Sequence, residues 1–314
     1  MFFISRKKLC TANGMRIITG PPHGYVASPG PYAFAEGSLT NDGKVVLSPY
    51  RSTNVCEYDP VSDTVYNVAH GETTVTTSYG YFYGAATLND GRVALTPYGC
   101  AYNGFYNPAT KTYSRGSAHG RGDAAFAYGK KMPNGSIIMS PINAGNIGLL
   151  NSTGVYSNGP ALASIRGRSA IYNNKVYLPA NNEIGIYDIA TNTVSSKPGY
   201  GNMVSATLMN TGKIFCQSAN TVFTIYDPAD DTYITGSSNT SMFRGSVLMD
   251  DGRVFNCPTS GSVGIYDPYS NTFELGPAVS MSGSDLFLGC VAIPGSKRIV
   301  LVPYNSPNIM IFEY

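Results

Sequence analysis

The feature that most limits what this chain can fold into is an internal repeat. An apolar run, a tight turn, a basic or small residue opening a β-branched run, a Pro, a polar loop and then Tyr-Asp-Pro recur along its 314 residues. With the first residue after the turn as a mark, the copies fall at Lys44, Arg92, Ser136, Lys175, Lys213, Arg253 and Arg298, spaced by 48, 44, 39, 38, 40 and 45 residues. Pro49, Pro97, Pro141, Pro258 and Pro303 stand five residues past their marks and Pro179 four past its own, and only the fifth unit, "KIFCQS", lacks one. Tyr58, Tyr106, Tyr187, Tyr226 and Tyr266 follow twelve to fourteen residues past the marks, each before Asp or Asn.

Four short strands fit each unit. In the sixth they are "GSVLM" (Gly245 to Met249), "RVFNC" (Arg253 to Cys257), "SVGIY" (Ser262 to Tyr266) and "TFEL" (Thr272 to Leu275), here called a, b, c and d. Four strands at a period of roughly 40 to 50 residues are the signature of a β-propeller blade. The seventh unit stops after its strand c, and residues 11–21, with a turn, a short strand and Gly-Pro, match the missing strand d. Pairing the two ends would close the ring and cover the edges that an open array exposes. The expected fold is therefore an all-β, seven-bladed propeller in one domain over 1–314. Residues 1–10 would form either a tail or extra packing, 11–21 the closing strand, and the blades would start near 34, 83, 124, 166, 203, 243 and 287.

Composition agrees. With 35 Gly, 20 Pro, 24 Tyr, no Trp and 13% charged residues, the chain is far from a helical composition. A net charge of +2 provides no field for a polyanion, so nucleic acid is not an expected partner. No apolar run approaches the ~20 residues of a membrane-spanning helix, so no membrane insertion is expected. The opening "MFFISRKKLC" places apolar residues before basic ones, the reverse of a secretory signal. The six cysteines lack ligand-like spacing and read as small buried hydrophobes.

The unit L-x-D-G-[KR]-V … Y-D-P-x-[ST]-x-T, as in Leu248 to Pro277, resembles the blades of kelch and galactose-oxidase-like propellers over all seven copies. The Gly-Gly pair and the Trp of kelch blades are replaced here by Pro with Tyr, Ile or Thr, and by no Trp at all. The variant "VLVPYNSPNIMIF" (Val300 to Phe312) is similar in style to divergent propellers of viral and phage structural or host-recognition proteins. A galactose-oxidase-like copper site would need two His, two Tyr and a Cys near the axis. The chain has only His23, His70 and His119, each before Gly at a junction between strand d and the next strand a. They are weak metal candidates, and no cofactor is expected. No nucleophile–base motif, phosphate loop or metal loop appears. A sialidase-like site would need inward Arg with a Tyr and an acid, and Arg166, Arg168 and Arg244 near the starts of strands a are the available Arg.

What remains is a surface. The loops between strands b and c are rich in Tyr, Asn, Ser and Gly, the mixture of recognition loops, so the candidate ligand-binding residues are Tyr50, Arg51, Tyr98, Tyr102, Asn103, Tyr304 and Asn305. The sequence points to a non-enzymatic propeller at a virion or extracellular surface, recognising a glycan or protein receptor or packing against other subunits of such an assembly. The alternatives are a secreted oxidase or glycan-active enzyme of the galactose-oxidase kind, and an intracellular kelch-like adaptor.

Overall fold

The computed structural model describes residues 9–10, 14–25, 32–73, 79–162, 165, 167–218, 222–238 and 242–314. All regular structure among them is β, arranged as four-stranded antiparallel sheets of a propeller. One sheet runs Phe34–Leu39, Val45–Pro49, Asn54–Asp59 and Thr64–Ala69. The next three of this form begin at the inner strands Phe82–Thr87, Phe126–Lys131 and Phe243–Leu248. Between the last two lies a seven-stranded sheet, in which the long strand Thr193–Leu208 pairs through its first half with Asn181–Asp188 and through its second with Ile214–Ser218.

The remaining sheet joins the two ends of the chain. Phe287–Ile293, Arg298–Pro303 and Asn308–Glu313 are followed by Arg16–Pro22 as the outer strand, with Leu9–Cys10 beyond it. Ile17 faces Phe312 and Ile18 faces Ile311 in this pairing, and Glu313 accepts from both Arg16 and Arg298. The closing strand thus starts at Arg16, inside the expected 11–21. Residues 1–8 and 11–13 lie outside the described residues, as does Arg166.

The motif residues clamp turns. Asp59, Asp188, Asp227 and Asp267 each accept a hydrogen bond from the backbone N–H two residues on, the Asx turn that short acidic side chains favour. Five residues past the Tyr comes a residue at positive φ: Asp63, Asn192, Asp231 and Asn271, at 53° to 59°. Its carboxyl or amide oxygen accepts from the hydroxyl of Tyr58, Tyr187, Tyr226 or Tyr266, at 2.9 to 3.0 Å. Only residues that tolerate the left-handed region do both jobs. Tyr106 departs from the rule: Lys111 takes the turn position, and the Tyr106 hydroxyl donates 2.9 Å to the buried Glu57 instead.

The core lies between sheets. Phe82, Leu95 and Tyr106 pack with Val46 and Val55 of the neighbouring sheet. Phe255 and Val263 pack with Phe287, Ile299 and Phe312 across the next boundary, and Ile17 of the closing strand joins them. Each such large side chain contributes about 1.5–3 kcal/mol through burial. The five cysteines whose side chains are described are free and buried. One prediction tests the turn clamp. Asn271→Ala, which loses both the hydrogen bond and the tolerance of positive φ, should cost about 1 kcal/mol or more in urea unfolding, and Asn271→Gly should cost less.

Candidate functional site

Every complete inner strand is interrupted at its third residue. The pairing Phe34–Pro49 is followed by Gly37–Leu47, with one extra residue on the inner strand, and the same slip recurs from Phe82 to Ala85, Phe243 to Ser246 and Phe287 to Cys290. These are β-bulges, which kink a strand and re-aim a side chain. Glycine suits the bulge conformation, and Gly84, Gly245 and Gly289 occupy it at φ of 134°, 101° and 107°. Glu36 and Tyr128 occupy the same place at φ 68° and 54°, which costs roughly 1–3 kcal/mol apiece and marks such positions as functional candidates. Arg168 stands at the corresponding point of the inner segment before Ala170–Tyr172.

Ser205 also stands at this place, on the second half of Thr193–Leu208, and the other three departures from glycine, Glu36, Tyr128 and Arg168, converge. Arg168 Nη2 lies 2.7 Å from Glu36 Oε2, and both its terminal nitrogens donate 3.1 Å to the carbonyl of Cys290. Glycines provide the room. A Cβ at Gly289 would fall 2.7 Å from Glu36 Oε1, and one at Gly245 would fall 3.2 Å from Arg168 Nη1. Tyr128 donates 3.2 Å to the hydroxyl of Tyr83.

This cluster borders an axial channel of about 720 Å³ that opens among the a-to-b turns, with Asn41 and Lys131 on its wall. The wall also carries hydroxyls that bridge neighbouring sheets, Ser38 to Thr87 at 2.9 Å and Thr207 to Ser246 at 2.7 Å. Glu36 is its one carboxylate, against Lys130, Lys131 and Arg168. Burial pushes the Glu36 carboxyl up to about 7, against the opposing pull of Arg168 and then Lys130. Burial also lowers the Lys130 ammonium, and Arg168 adds to that effect. Beyond these influences the Lys130 ammonium, on an exposed side chain at the channel, has no hydrogen-bond or ion-pair partner among the described residues.

The sequence-derived candidates divide into three groups. Tyr50, Tyr98 and Tyr304 do come together, with ring centroids 5.8 Å apart for Tyr50–Tyr98 and 5.5 Å for Tyr50–Tyr304. They cluster with Tyr83 at the other end of the axis from the channel mouth. Arg51 covers the ring of Tyr32 at 5.1 Å, and Asn305 accepts from the Tyr32 N–H while donating to the Ser284 carbonyl. Tyr102 stacks instead under Arg115, and Asn103 is buried with its amide on the Ser117 carbonyl.

The histidines stay apart and do structural work. His23, His70 and His119 donate through Nε2–H to the carbonyls of Ser306, Ser52 and Cys100, at 2.7 to 2.9 Å. Their Nδ1 atoms accept from the N–H groups of Tyr25, Glu72 and Arg121. A carbonyl can only accept, so each ring is the neutral Nε2–H tautomer with both nitrogens engaged. The described residues hold no group of three His, Cys, Asp or Glu arranged for a metal.

The inward Arg, Tyr and acid sought in the sequence exist as Arg168, Tyr128 and Glu36. Glu36, Tyr128 and Lys130 were missed because they look like ordinary strand residues. Aligning the inner strands on their glycines would have exposed Glu36 and Tyr128 as the substituents at a glycine position.

No family model and no curated protein matches the sequence. Solved structures do resemble it. A streptogramin B lyase is 13% identical with a TM-score of 0.74, covering 95% of this chain and 97% of its own. A catalytically inactive histidine-to-alanine variant of virginiamycin B lyase from Staphylococcus aureus, with quinupristin, is 12% identical with a TM-score of 0.77, covering 96% and 99%. The extracellular domain of a hybrid two-component system from B. thetaiotaomicron is 12% identical with a TM-score of 0.67, covering 93% of this chain and 42% of that one. At such identities the likeness is one of fold.

These neighbours correct the functional expectations. They are lyases and the extracellular domain of a two-component system, so the reading as a non-enzymatic virion or receptor-binding propeller is withdrawn. The physical reasons lie in the site. The loop tyrosines pack on one another, the histidines serve as separate clasps, and the chemistry-bearing groups line the channel on the opposite, turn-bearing face.

Two predictions follow from the charges. With carbon-13 labelled Glu, one carboxyl should titrate near 7, and Arg168→Gln or Lys130→Gln should raise its midpoint by removing a cation that opposes the burial effect. Burial holds all three histidines below their ordinary 6.5. The unfolded chain therefore takes up more protons as pH falls through 6.5, and stability declines there. Thermal midpoints should drop between about pH 7.5 and about pH 5.5, and less steeply in His70→Gln.

Proposed function

We propose that the chain is a single seven-bladed propeller whose turn-side channel is an acid–base site for a small anionic substrate, with Glu36 taking the proton. Seven blades follow if Thr193–Leu208 serves as the outer strand of one blade and the inner strand of the next, in line with the seven sequence marks. The observation that carries the functional reading is Glu36. A carboxyl poised near neutrality suits proton transfer at neutral pH, and strained, buried, charge-flanked carboxyls cluster at active sites.

Lys130 and Arg168 supply the complementary half. An unpaired ammonium and a guanidinium in a walled channel favour a carboxylate or phosphate on the substrate. They also stabilise negative charge that develops when a proton leaves the adjacent carbon. The reaction class is proton abstraction next to a carbonyl or carboxylate, leading to elimination or isomerisation. Bridging hydroxyls on the wall suit a hydrophilic molecule, and the volume suits a small one. Likeness to lyases supports an enzyme. The inactive lyase variant lacks a histidine, whereas here all three histidines are committed to backbone clasps, so the base is a carboxylate. The extracellular neighbours support an extracellular setting.

The test is solvent deuterium incorporation. Wild-type protein is incubated in D₂O with a panel of hydroxy acids, amino acids and uronates, and the products are read by mass spectrometry. Glu36→Gln, checked for fold by circular dichroism, should lower incorporation by about 100-fold or more. Equal incorporation in both proteins would remove Glu36 from the reaction.

A further inference from the structure

The other end of the axis carries a cation that the channel does not use. Arg244 follows Phe243 on the inner strand Phe243–Leu248. Its buried Nε has no hydrogen-bond partner, and its guanidinium joins no ion pair among the described residues. Leaving a charged donor partly desolvated and unpaired is costly, so the position calls for an anion. Among the described residues no carboxylate is paired with it, and Glu36 is held by Arg168.

Tyr83 holds the same register place as Arg244. Phe82 pairs with Pro97 and Ala85 with Leu95, just as Phe243 pairs with Pro258 and Ser246 with Asn256. Ala35, Ala127, Val204 and Leu288 stand at this place in other inner strands, so the guanidinium and the phenol are its polar groups. The Arg244 charge acts on the Tyr83 and Tyr128 hydroxyls, favouring their ionised forms against burial. Tyr83 accepts from Tyr128, which leaves its own proton free to donate. Tyr50 and Tyr98 pack against Tyr83 at 5.7 and 5.5 Å. Arg244, Tyr50, Tyr83 and Tyr98 each keep part of their surface open.

We propose that the loop-side end of the axis is a second anion site, where the Arg244 guanidinium and the Tyr83 hydroxyl hold a carboxylate or phosphate and the rings of Tyr50 and Tyr98 cover a planar apolar remainder. The planar guanidinium grips such groups through two parallel N–H donors. Tyrosine rings add apolar area with little entropic loss. The ligand class is an aryl carboxylate or aryl phosphate, and the inference stands apart from the proton transfer assigned to Glu36.

Isothermal calorimetry at low ionic strength tests it, with benzoate and phenyl phosphate against acetate and inorganic phosphate. The aryl anions should bind about tenfold more tightly than their simple counterparts. Arg244→Gln should weaken benzoate by about tenfold or more, and Arg244→Lys should lose less because it keeps the charge. An unchanged thermal midpoint in Arg244→Gln separates lost binding from lost fold. No benzoate binding by the wild type, equal affinity for acetate, or full affinity in Arg244→Gln would each overturn the site. Binding lost in Lys130→Gln alone would place the anion in the channel and also overturn it.

Discussion

Glu36 can reach Arg168 because the inner strand that carries it is bulged, and the remainder of the axial arrangement follows from that irregularity. A regular strand alternates its side chains between two faces. One extra residue breaks the alternation, and here it turns the third side chain toward the axis while the strand continues to pair on either side. Where that residue is Gly84, Gly245 or Gly289, backbone alone borders the axis and leaves space. Where it is Glu36 or Tyr128, a functional group enters the space that the glycines of other blades vacate. Strain at two positions is thus matched by missing side chains at three.

The charge arrangement has the same economy. A buried ion pair gains little net stability once desolvation is counted, so Glu36 and Arg168 contribute little to holding the blades together. The blades are held by the aromatic and aliphatic layers between sheets and by the Tyr and Asx turn clamps. This separation lets the axis vary in chemistry while the body of each blade stays the same. It also fits a fold shared with lyases and with extracellular domains of one- and two-component systems at 11% to 13% identity.

Most of the body was legible in the sequence. The period, the Asp-Gly turns, the Tyr that ends strand c and the strand near the N-terminus that completes the last sheet all repeat, and repetition is a signal a single sequence can carry. The site was not legible for the opposite reason: it consists of the residues that break the pattern in strand a, the strand with the weakest motif. Glu36 sits in "AFAEGSL" as an unremarkable surface acid would, and only the pairing register shows that it replaces a glycine. Tyr50, Tyr98 and Tyr304 were found because they share a loop position, but their packing on one another could not be read from spacing. The recurrence of His-Gly was visible in the sequence, and the fold shows its use as a clasp between an outer strand and its own b-to-c loop.

The strand Arg16–Pro22 lies in the same sheet as Asn308–Glu313, and the Arg16–Glu313 contact spans 297 positions of sequence. A contact between residues so far apart cannot form early, because closing so long a loop must await the chain between them. On the ribosome the blades would assemble from the N-terminal side while the sheet that joins both ends stays open at two edges. The apolar faces of Ile17, Ile18, Ile311 and Phe312 would be uncovered through that interval. The same latch that seals the finished ring therefore sets the period during which the nascent protein is most prone to pair with a neighbour.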